Sequence, residues 1–266
     1  MKEIPTVHVP YDEIIPTYTK TLVGTSAEGR VIEAHTYGSG QNEIVFVGGI
    51  HGGYEWNTVL LAHRLMDYYD VNQAIIPSHV KVTVIPVLNP DGYFKITGTT
   101  TQFFDLAKIP NVAGTAPGRF NARGVDLNRN FDCNWQATAT WQNKTVSAGT
   151  SAFSEPETAA FRDWVKARMP KAVVFAHSAS NGVFGAGCNT EMATTTRAIL
   201  NAYSGASGYP AQDTFTGYVV NGDASDWLAT IGVPSIGTEL KSHETVEFEQ
   251  NLAGLEAVIK LFTSGL

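Results

Sequence analysis

Two side chains that can bind a metal ion, His51 and Glu55, follow a run of apolar residues that ends in two glycines. The run, residues 44–47, is rich in β-branched side chains and predicts a buried strand. Imidazole and carboxylate groups are usual ligands of a catalytic zinc ion, which takes three protein groups and leaves one position open. A histidine and a glutamate at this spacing also occur in ordinary turns that lead into helices. The pair therefore needs support from the rest of the chain.

Two further strand ends carry side chains suited to the same chemistry. Residues 171–176 form a short apolar run that ends at His177, and residues 234–240 form another that carries Glu239. The carboxyl ends of neighbouring parallel strands meet at one edge of a sheet, where such sheets bind ligands. A lone histidine at a strand end is more often a core residue than a ligand. We nevertheless interpret His177 as a candidate third zinc ligand, because it lies at the end of a predicted strand, as His51 does.

A third group of polar residues lies in GRFNARGVDLNRNF, residues 118–131, at the end of a long stretch with little periodicity, residues 95–125. Loops of that length in a compact domain usually have a function. The arginines and asparagines of the run would suit a solvated loop. They would equally bind a carboxylate, because guanidinium and amide groups donate directed hydrogen bonds to it.

The strands and helices that must position these residues alternate along the chain. Residues 30–37 and 43–50 predict two neighbouring strands joined as a hairpin, and residues 55–69 predict an amphipathic helix. Residues 80–88 predict a strand parallel to the second one, with the helix as the crossover. We therefore expect an α/β fold with a mixed, largely parallel central sheet and helices on both faces.

Two short motifs predict how local elements begin. Residues 89–92, Asn-Pro-Asp-Gly, have a turn former at each position and predict a turn after the third strand. Ser154, followed three residues later by Glu157, predicts a capping box that opens a helix to about residue 168. Later helices are expected over residues 190–203, 224–231 and 246–262.

Length and composition limit the class of protein. With 43% hydrophobic residues, the 266-residue chain can form one globular domain over residues 1–266, and prolines favour an extended N-terminal arm over residues 1–20. The net charge of −7, without a basic run, makes nucleic acid an unexpected partner. No stretch reaches the roughly 18 to 20 apolar residues that span a bilayer. We expect no membrane span, and a monomer.

These motifs, together with NPDGY at residues 89–93, Tyr218 and SIGTEL at residues 235–240, resemble the zinc carboxypeptidase family typified by pancreatic carboxypeptidase A. The resemblance runs from residue 24 to beyond Glu239, and the motifs follow the family's order at close to its intervals. It implies one zinc ion per chain. It also implies hydrolysis of the last peptide bond of a peptide that has a free C-terminal carboxylate.

The resemblance gives each matching residue a role in binding the metal, in catalysis or in binding the substrate. The implied residues are the metal ligands His51, Glu55 and His177, the general base Glu239, the carbonyl-polarising Arg119, the carboxylate-binding pair Asn128 and Arg129, and the mobile Tyr218, which closes over the bound substrate. One spacing departs from the family pattern. The family usually has His-x-x-Glu, whereas HGGYE at residues 51–55 is one residue longer. The two glycines of this loop can absorb an insertion, so we expect Glu55 to remain a ligand.

The resemblance also implies that the side chain of the terminal residue enters a pocket floored by residues 219–225. Family members that prefer basic residues carry an acidic group just before an Asp-Trp pair, where this chain has Ser225. Asp223 either faces the pocket, where it would attract a cationic group, or caps the helix that begins near Ala224. We adopt the capping interpretation and expect a broad pocket that prefers apolar or aromatic C-terminal residues.

Two other functions are compatible with the sequence. A cell-wall amidase of the same fold would cut γ-D-glutamyl-diaminopimelate bonds in peptidoglycan peptides, which also end in a carboxylate. A catalytically inactive binding module would keep the fold and lose the chemistry. Glu239 and the three candidate ligands argue against the binding module.

The two cysteines, Cys133 and Cys188, allow one disulfide. We expect it to form near the active site, because Cys133 follows the carboxylate-binding run and Cys188 follows His177 by eleven residues. Two buried free thiols are the alternative. A disulfide would favour an extracellular or periplasmic location, because the cytosol keeps most thiols reduced.

Overall fold

The structure is a computed structural model that describes residues 18–263. The predicted N-terminal arm of residues 1–20 lies almost entirely outside this range, and the first strand begins at Thr19. Within the described residues, a main sheet has eight strands and a separate hairpin has two. In chain order the strands are β1 (Thr19–Thr25), β2 (Val31–Tyr37), β3 (Asn42–Val47), β4 (Val80–Ile85), β5 (Thr138–Trp141), β6 (Lys144–Ser147), β7 (Ala172–Ser178), β8 (Gly182–Gly185), β9 (Ala211–Gln212) and β10 (Ser235–Leu240).

The helices alternate with these strands along the chain. They are α1 (Trp56–Val71), α2 (Pro90–Thr97), α3 (Val112–Thr115), α4 (Pro156–Arg168), α5 (Thr194–Ser207), α6 (Ala224–Thr230) and α7 (Phe248–Leu261). No helix within residues 18–263 is both long and apolar enough to cross a membrane.

The strands of the main sheet lie in the order β1-β2-β4-β3-β7-β10-β8-β9. The four central strands β4, β3, β7 and β10 run parallel to one another, and β2 and β8 flank them in the antiparallel direction. The expected mixed, largely parallel sheet is confirmed. Its central strands all end at one edge, which is where the polar residues of the sequence motifs gather.

The sheet has a hydrophobic core on each face. Along β3, Ile44 and Phe46 pack into the core that includes α1, α5 and α7, whereas Val45 and Val47 pack into the core that includes α4 and α6. Side chains of a strand alternate between faces, so a strand covered on both sides is apolar throughout. This explains why the central strands read as continuous apolar runs.

The predicted hairpin between the second and third strands is wrong. Strand β4 lies between β2 and β3, pairing antiparallel with β2 and parallel with β3. The loop around Gly38 is short enough for a hairpin, but the crossover through α1 returns β4 to the gap between the two strands. The expected parallel pair of β3 and β4 is present.

The turn predicted at residues 89–92 and the capping box predicted at Ser154 are both absent from the structure. Residues 90–92 are not a free turn: they begin helix α2, and Asn89 caps it by accepting a hydrogen bond from the Gly92 N–H at 2.9 Å. The capping box at Ser154 is absent, because the N-cap of α4 is Glu155. The Ser154 hydroxyl instead accepts from the Thr150 N–H at 3.2 Å and donates to the Glu155 carboxylate at 2.8 Å.

Candidate active site

The three predicted metal ligands come together at the carboxyl edge of the sheet. His51 lies in the loop after β3, Glu55 closes the 3₁₀ turn Gly52–Glu55, and His177 is the penultimate residue of β7. One nitrogen or oxygen atom from each of the three side chains lies within 4.8 Å of the others. All three side chains are buried. The extra residue in the HGGYE loop therefore leaves Glu55 within reach of both histidines.

Gly52 allows this loop to accommodate the longer spacing. Its φ of +46° lies in the left-handed region, and a Cβ there would meet the carbonyl oxygen of Gly118 at 2.6 Å. Only glycine fits such a conformation and such a close approach. The tight turn that follows returns Glu55 to the side of the loop occupied by His51.

Burying these three polar side chains together costs folding free energy unless a cation binds them. Burial, followed by the nearby Arg119 guanidinium, lowers the pKa of His51 well below its usual value. Burial raises the pKa of Glu55 well above its usual value, and Arg119 offsets part of that rise. Within the described residues, the buried Nδ1 atom of His51 has no hydrogen-bond partner. A divalent cation would compensate both the orphaned nitrogen and the buried carboxylate.

Asp126, to which the sequence interpretation gave no role, links the metal cluster to Arg119. One of its carboxylate oxygens lies 3.5 Å from Nδ1 of His51, and the other accepts a 2.8 Å hydrogen bond from Nε of Arg119. The Asp126 side chain is fully buried. Asp126 therefore places a negative charge beside the His51 ring and fixes the position of the Arg119 guanidinium. The sequence signal for this residue is its place in the polar run of residues 118–131.

Glu239 lies beside the metal cluster on the neighbouring strand. In the parallel register of β10 and β7, Glu239 is opposite His177, so the two side chains leave the sheet on the same face. Its Oε2 accepts a 3.1 Å hydrogen bond from the Ser180 N–H. Burial raises the pKa of Glu239 to about 7, against the opposing effect of His177. A carboxylate with that pKa can accept and release a proton near neutral pH.

Arg119 is held with its Nη groups available to a ligand. Its Nε atom is bonded to Asp126, its Nη1 atom lies 3.8 Å from Oε1 of Glu55, and its guanidinium carbon lies 4.7 Å from the centre of the Trp141 ring. The side chain is buried. A cation fixed this close to the cluster can stabilise negative charge that develops on a bound carbonyl oxygen.

The predicted carboxylate-binding pair is in the same cavity, and backbone groups hold it in place. Nε and Nη2 of Arg129 both donate to the carbonyl of Thr140 at 3.1 Å, and Nη1 donates to the carbonyl of Asn128 at 2.7 Å. The Tyr218 ring lies 5.9 Å from the Arg129 guanidinium carbon. Arg129 therefore lies beside the tyrosine that is expected to close over the substrate.

Asp223 caps helix α6. One carboxylate oxygen accepts from the N–H groups of Ser225 at 2.7 Å and Asp226 at 3.2 Å, and the other accepts from Nδ2 of Asn128 at 2.8 Å. Both oxygens are thus engaged inside the protein. The capping interpretation of Asp223 agrees with these bonds, and the same carboxylate holds the side chain of Asn128.

The cysteines form the expected disulfide, Cys133–Cys188, with an Sγ–Sγ distance of 2.12 Å. The Asp226 carboxylate accepts from the N–H groups of Gly187 at 3.0 Å and Cys188 at 3.3 Å. Cys188 lies on the wall of the cavity. The disulfide therefore ties one wall of the cavity to the chain segment that follows Arg129.

One cavity of about 1000 Å³ is lined by the predicted site residues His51, Glu55, Arg119, Asn128, Arg129, His177, Tyr218, Asp223 and Glu239. Three of its lining residues, Tyr54, Trp141 and His243, received no role from the sequence. Their rings are in contact: Tyr54 packs edge-on against Trp141 at 5.0 Å and at a tilt against His243 at 4.6 Å. The fold and the site together define a metallohydrolase-like arrangement, with a His-Glu-His cluster, a buried glutamate and buried arginines at one cavity.

The chain belongs to the zinc carboxypeptidase family, which matches residues 13–249. Carboxypeptidase B of Helicoverpa zea is 29% identical over 215 residues, which cover 72% of this chain and 48% of that protein. Metallocarboxypeptidase A of Trichophyton tonsurans is 37% identical over 123 residues, covering 42% of this chain and 27% of that protein. This chain thus spans less than half the length of these two relatives.

Two solved structures show the same fold. Thrombin activatable fibrinolysis inhibitor superimposes with a TM-score of 0.75 at 17% identity, covering 94% of this chain and 70% of that one. The murein-tripeptide amidase of Escherichia coli O157 superimposes with a TM-score of 0.62 at 21% identity, covering 91% of this chain and 90% of that one. At these identities the superpositions establish the fold alone.

Proposed function

We propose that this protein is a zinc-dependent metallocarboxypeptidase that removes the C-terminal residue of peptides. The observation that carries the proposal is that the His51-Glu55-His177 cluster, Glu239 and the Asn128-Arg129 pair face one cavity. Chemistry at the cluster and recognition of a terminal carboxylate are thereby combined in one site.

The buried donor set fits zinc. Two imidazoles and one carboxylate are a common ligand set of catalytic zinc, whereas magnesium prefers oxygen ligands alone. The orphaned Nδ1 atom of His51 is the position that a metal ion would satisfy. Zinc bound by these residues would polarise the scissile carbonyl and make an attacking water more acidic.

The protein's own residues would carry the proton and the developing charge. Glu239 accepts the proton of the attacking water at its carboxylate and passes it to the leaving nitrogen, acting first as general base and then as general acid. Arg119, fixed by Asp126, donates hydrogen bonds from its Nη groups to the carbonyl oxygen as that oxygen becomes negative. The reaction is hydrolysis of the bond next to the terminal residue.

Arg129 and Asn128 would restrict the reaction to chain ends, and replacing Arg129 tests this role. Arg129→Gln should lower kcat/KM for an N-blocked dipeptide about 10- to 100-fold, because a hydrogen bond to a charged group contributes about 1.5 to 3 kcal/mol. The C-terminal amide of the same dipeptide should be a poor substrate for both proteins. Initial rates on the acid and the amide measure the effect, and Arg123→Gln, at an exposed arginine of the same run, is the control. Equal wild-type rates on the acid and the amide would contradict the proposal.

We propose that the pocket prefers apolar or aromatic terminal residues. Asp223 uses both carboxylate oxygens to hold helix α6 and Asn128, so it offers little to a cationic side chain. N-blocked dipeptides ending in Phe, Leu and Arg, compared by kcat/KM, should rank Phe and Leu above Arg. If the Arg substrate were about tenfold better, with its advantage lost in Asp223→Ala, a charge-assisted bond to Asp223 would be shown and the capping account would fail.

The cell-wall alternative enters the same substrate panel. The amidase of Escherichia coli is similar to this chain over nearly the full length of both proteins. A γ-D-glutamyl-diaminopimelate peptide also presents a free carboxylate beside the scissile bond. A kcat/KM for that peptide well above the values for all three N-blocked dipeptides would make cell-wall peptide hydrolysis the better assignment.

We propose an extracellular or periplasmic location, on the support of the disulfide. Titration of the denatured, unreduced protein with a thiol reagent should find no free thiol, and two should appear after reduction. Two thiols before reduction would remove this support.

A further inference from the structure

His243 lies in the wall of the cavity, and the proposed mechanism gives it no part. It follows the last residue of β10, Leu240, by three positions, and its ring packs against Tyr54 at 4.6 Å. Its Nδ1 atom lies 3.0 Å from the hydroxyl of Ser178. Within the described residues its Nε2 atom has no hydrogen-bond partner. This atom is accessible from the cavity. One nitrogen of His243 is therefore free to meet a ligand.

A chain of hydrogen bonds determines which nitrogen of His243 carries the hydrogen. The Nδ2 group of Asn57 donates to the carbonyls of Ser242 at 2.8 Å and Thr245 at 2.9 Å, which fixes the orientation of the Asn57 amide. Its Oδ1 atom then accepts from the Ser178 hydroxyl at 3.0 Å. A hydroxyl has one hydrogen to donate. Ser178 must therefore accept, and Nδ1 of His243 must donate.

This network makes the free nitrogen an acceptor. With its hydrogen on Nδ1, a neutral imidazole has a bare lone pair on Nε2. Burial, and then the Arg119 guanidinium, lowers the pKa of His243, which favours the neutral form. The same Asn57 bonds hold the loop of residues 242–245, so the acceptor is already in place before a ligand binds.

Strand β10 shows which part of a substrate this acceptor would meet. Near its start, the Ser235 hydroxyl donates to the carbonyl of Ser225 at 2.9 Å, on the floor of the expected terminal-residue pocket. Glu239 lies four residues further on, about 13 Å along an extended strand at roughly 3.3 Å per residue. His243 follows beyond the end of the strand. A peptide with its carboxylate at Arg129 and its scissile bond at Glu239 would continue towards His243.

We infer that Nε2 of His243 accepts a hydrogen bond from the backbone N–H of the residue on the N-terminal side of the scissile bond. This inference rests on the proposed carboxypeptidase function, which sets the direction of the substrate. This hydrogen bond would make His243 a substrate-positioning residue. It would also favour peptides over shorter amides that lack this N–H.

Two substrates that differ in that one hydrogen test the inference. Benzoyl-glycyl-phenylalanine has the N–H, and benzoyl-sarcosyl-phenylalanine has a methyl group in its place. The wild type should prefer the glycyl substrate in kcat/KM, and His243→Leu should reduce that preference about three- to tenfold, the usual effect of one neutral hydrogen bond. His243→Gln should keep most of it, because the Gln oxygen can take the position of Nε2. Steric effects of the methyl group occur in all three proteins and cancel in the comparison.

A purely structural role for His243 predicts a different result. His243→Leu would then slow both substrates by the same factor, and that outcome would overturn the inference while leaving the carboxypeptidase function in place. If the wild type hydrolyses neither substrate, the proposed function fails on its own. The affinities of the two compounds for the wild type and for His243→Leu, measured by calorimetry, then test the hydrogen bond without turnover.

Discussion

Glu239→Gln is expected to lower kcat by at least about 100-fold, since general acid-base catalysis contributes about 10² to 10⁴ in rate. The amide keeps the shape of the side chain and can still accept the hydrogen bond from the Ser180 N–H. It cannot accept the proton of the attacking water. Zinc content and thermal stability should therefore stay close to those of the wild type, and steady-state kinetics should show the loss in kcat.

A matched control for this variant is available at Glu244, five residues further along the chain. Glu244 is exposed and donates only its backbone N–H to Ser242, so Glu244→Gln should leave the kinetics unchanged. Near wild-type turnover by Glu239→Gln would mean that another group takes the proton. A loss of zinc in this variant would mean that Glu239 belongs to the metal site instead.

The second large effect is expected at the metal cluster. His51→Ala and His177→Ala should each lose bound zinc and all measurable activity, because a site with three protein ligands retains only two. Metal analysis after exhaustive dialysis gives the number of zinc ions per chain, with an expected value of one for the wild type. Glu55→Ala applies the same test to the ligand at the longer spacing.

The exposed His79 provides the control for these variants. His79→Ala should keep the wild-type zinc content, because its side chain lies outside the cavity. Full zinc occupancy in both His51→Ala and His177→Ala would refute the assignment of the metal site. Full occupancy in Glu55→Ala alone would show that the longer loop does not deliver a ligand.

The sequence predicts individual strands well, because their apolar pattern is local. It predicts the order of the strands in the sheet poorly, because distant segments can pair with the same strand. The apolar runs of β3 and β7 indicate buried strands because both faces of these strands are covered. The order of the strands is not local information, and β4 takes the place beside β2 that the short loop around Gly38 had suggested for β3.

The predictions of how two helices begin were wrong for a related reason, because one residue type occurs in several local motifs. Asn89 can stabilise a turn or cap a helix, and in the structure it caps helix α2, whose first four residues are buried. Ser154 has the right spacing for a capping box, yet its hydroxyl is taken by Thr150 and Glu155. Tertiary hydrogen bonds of this kind cannot be read from spacing.

Some residues of the candidate site can be predicted from the sequence, and others are recognised only in the structure. Residues with a recognisable motif or strand-end position, such as His51, His177 and Glu239, are predicted from the sequence and brought together by the sheet. Asp126 and His243 become visible only through their partners, Arg119 and Ser178. His243 follows a predicted strand by three residues, and that position alone does not single it out in the sequence.

The most direct test of the central claim is the identity of the product released from a peptide with and without metal. Mass spectrometry of a peptide incubated with the protein should show loss of residues from the C-terminus alone. A zinc chelator should abolish that loss, and added zinc should restore it. Internal cleavage, removal of N-terminal residues, or C-terminal trimming that continues at full rate in the metal-free protein would contradict the account.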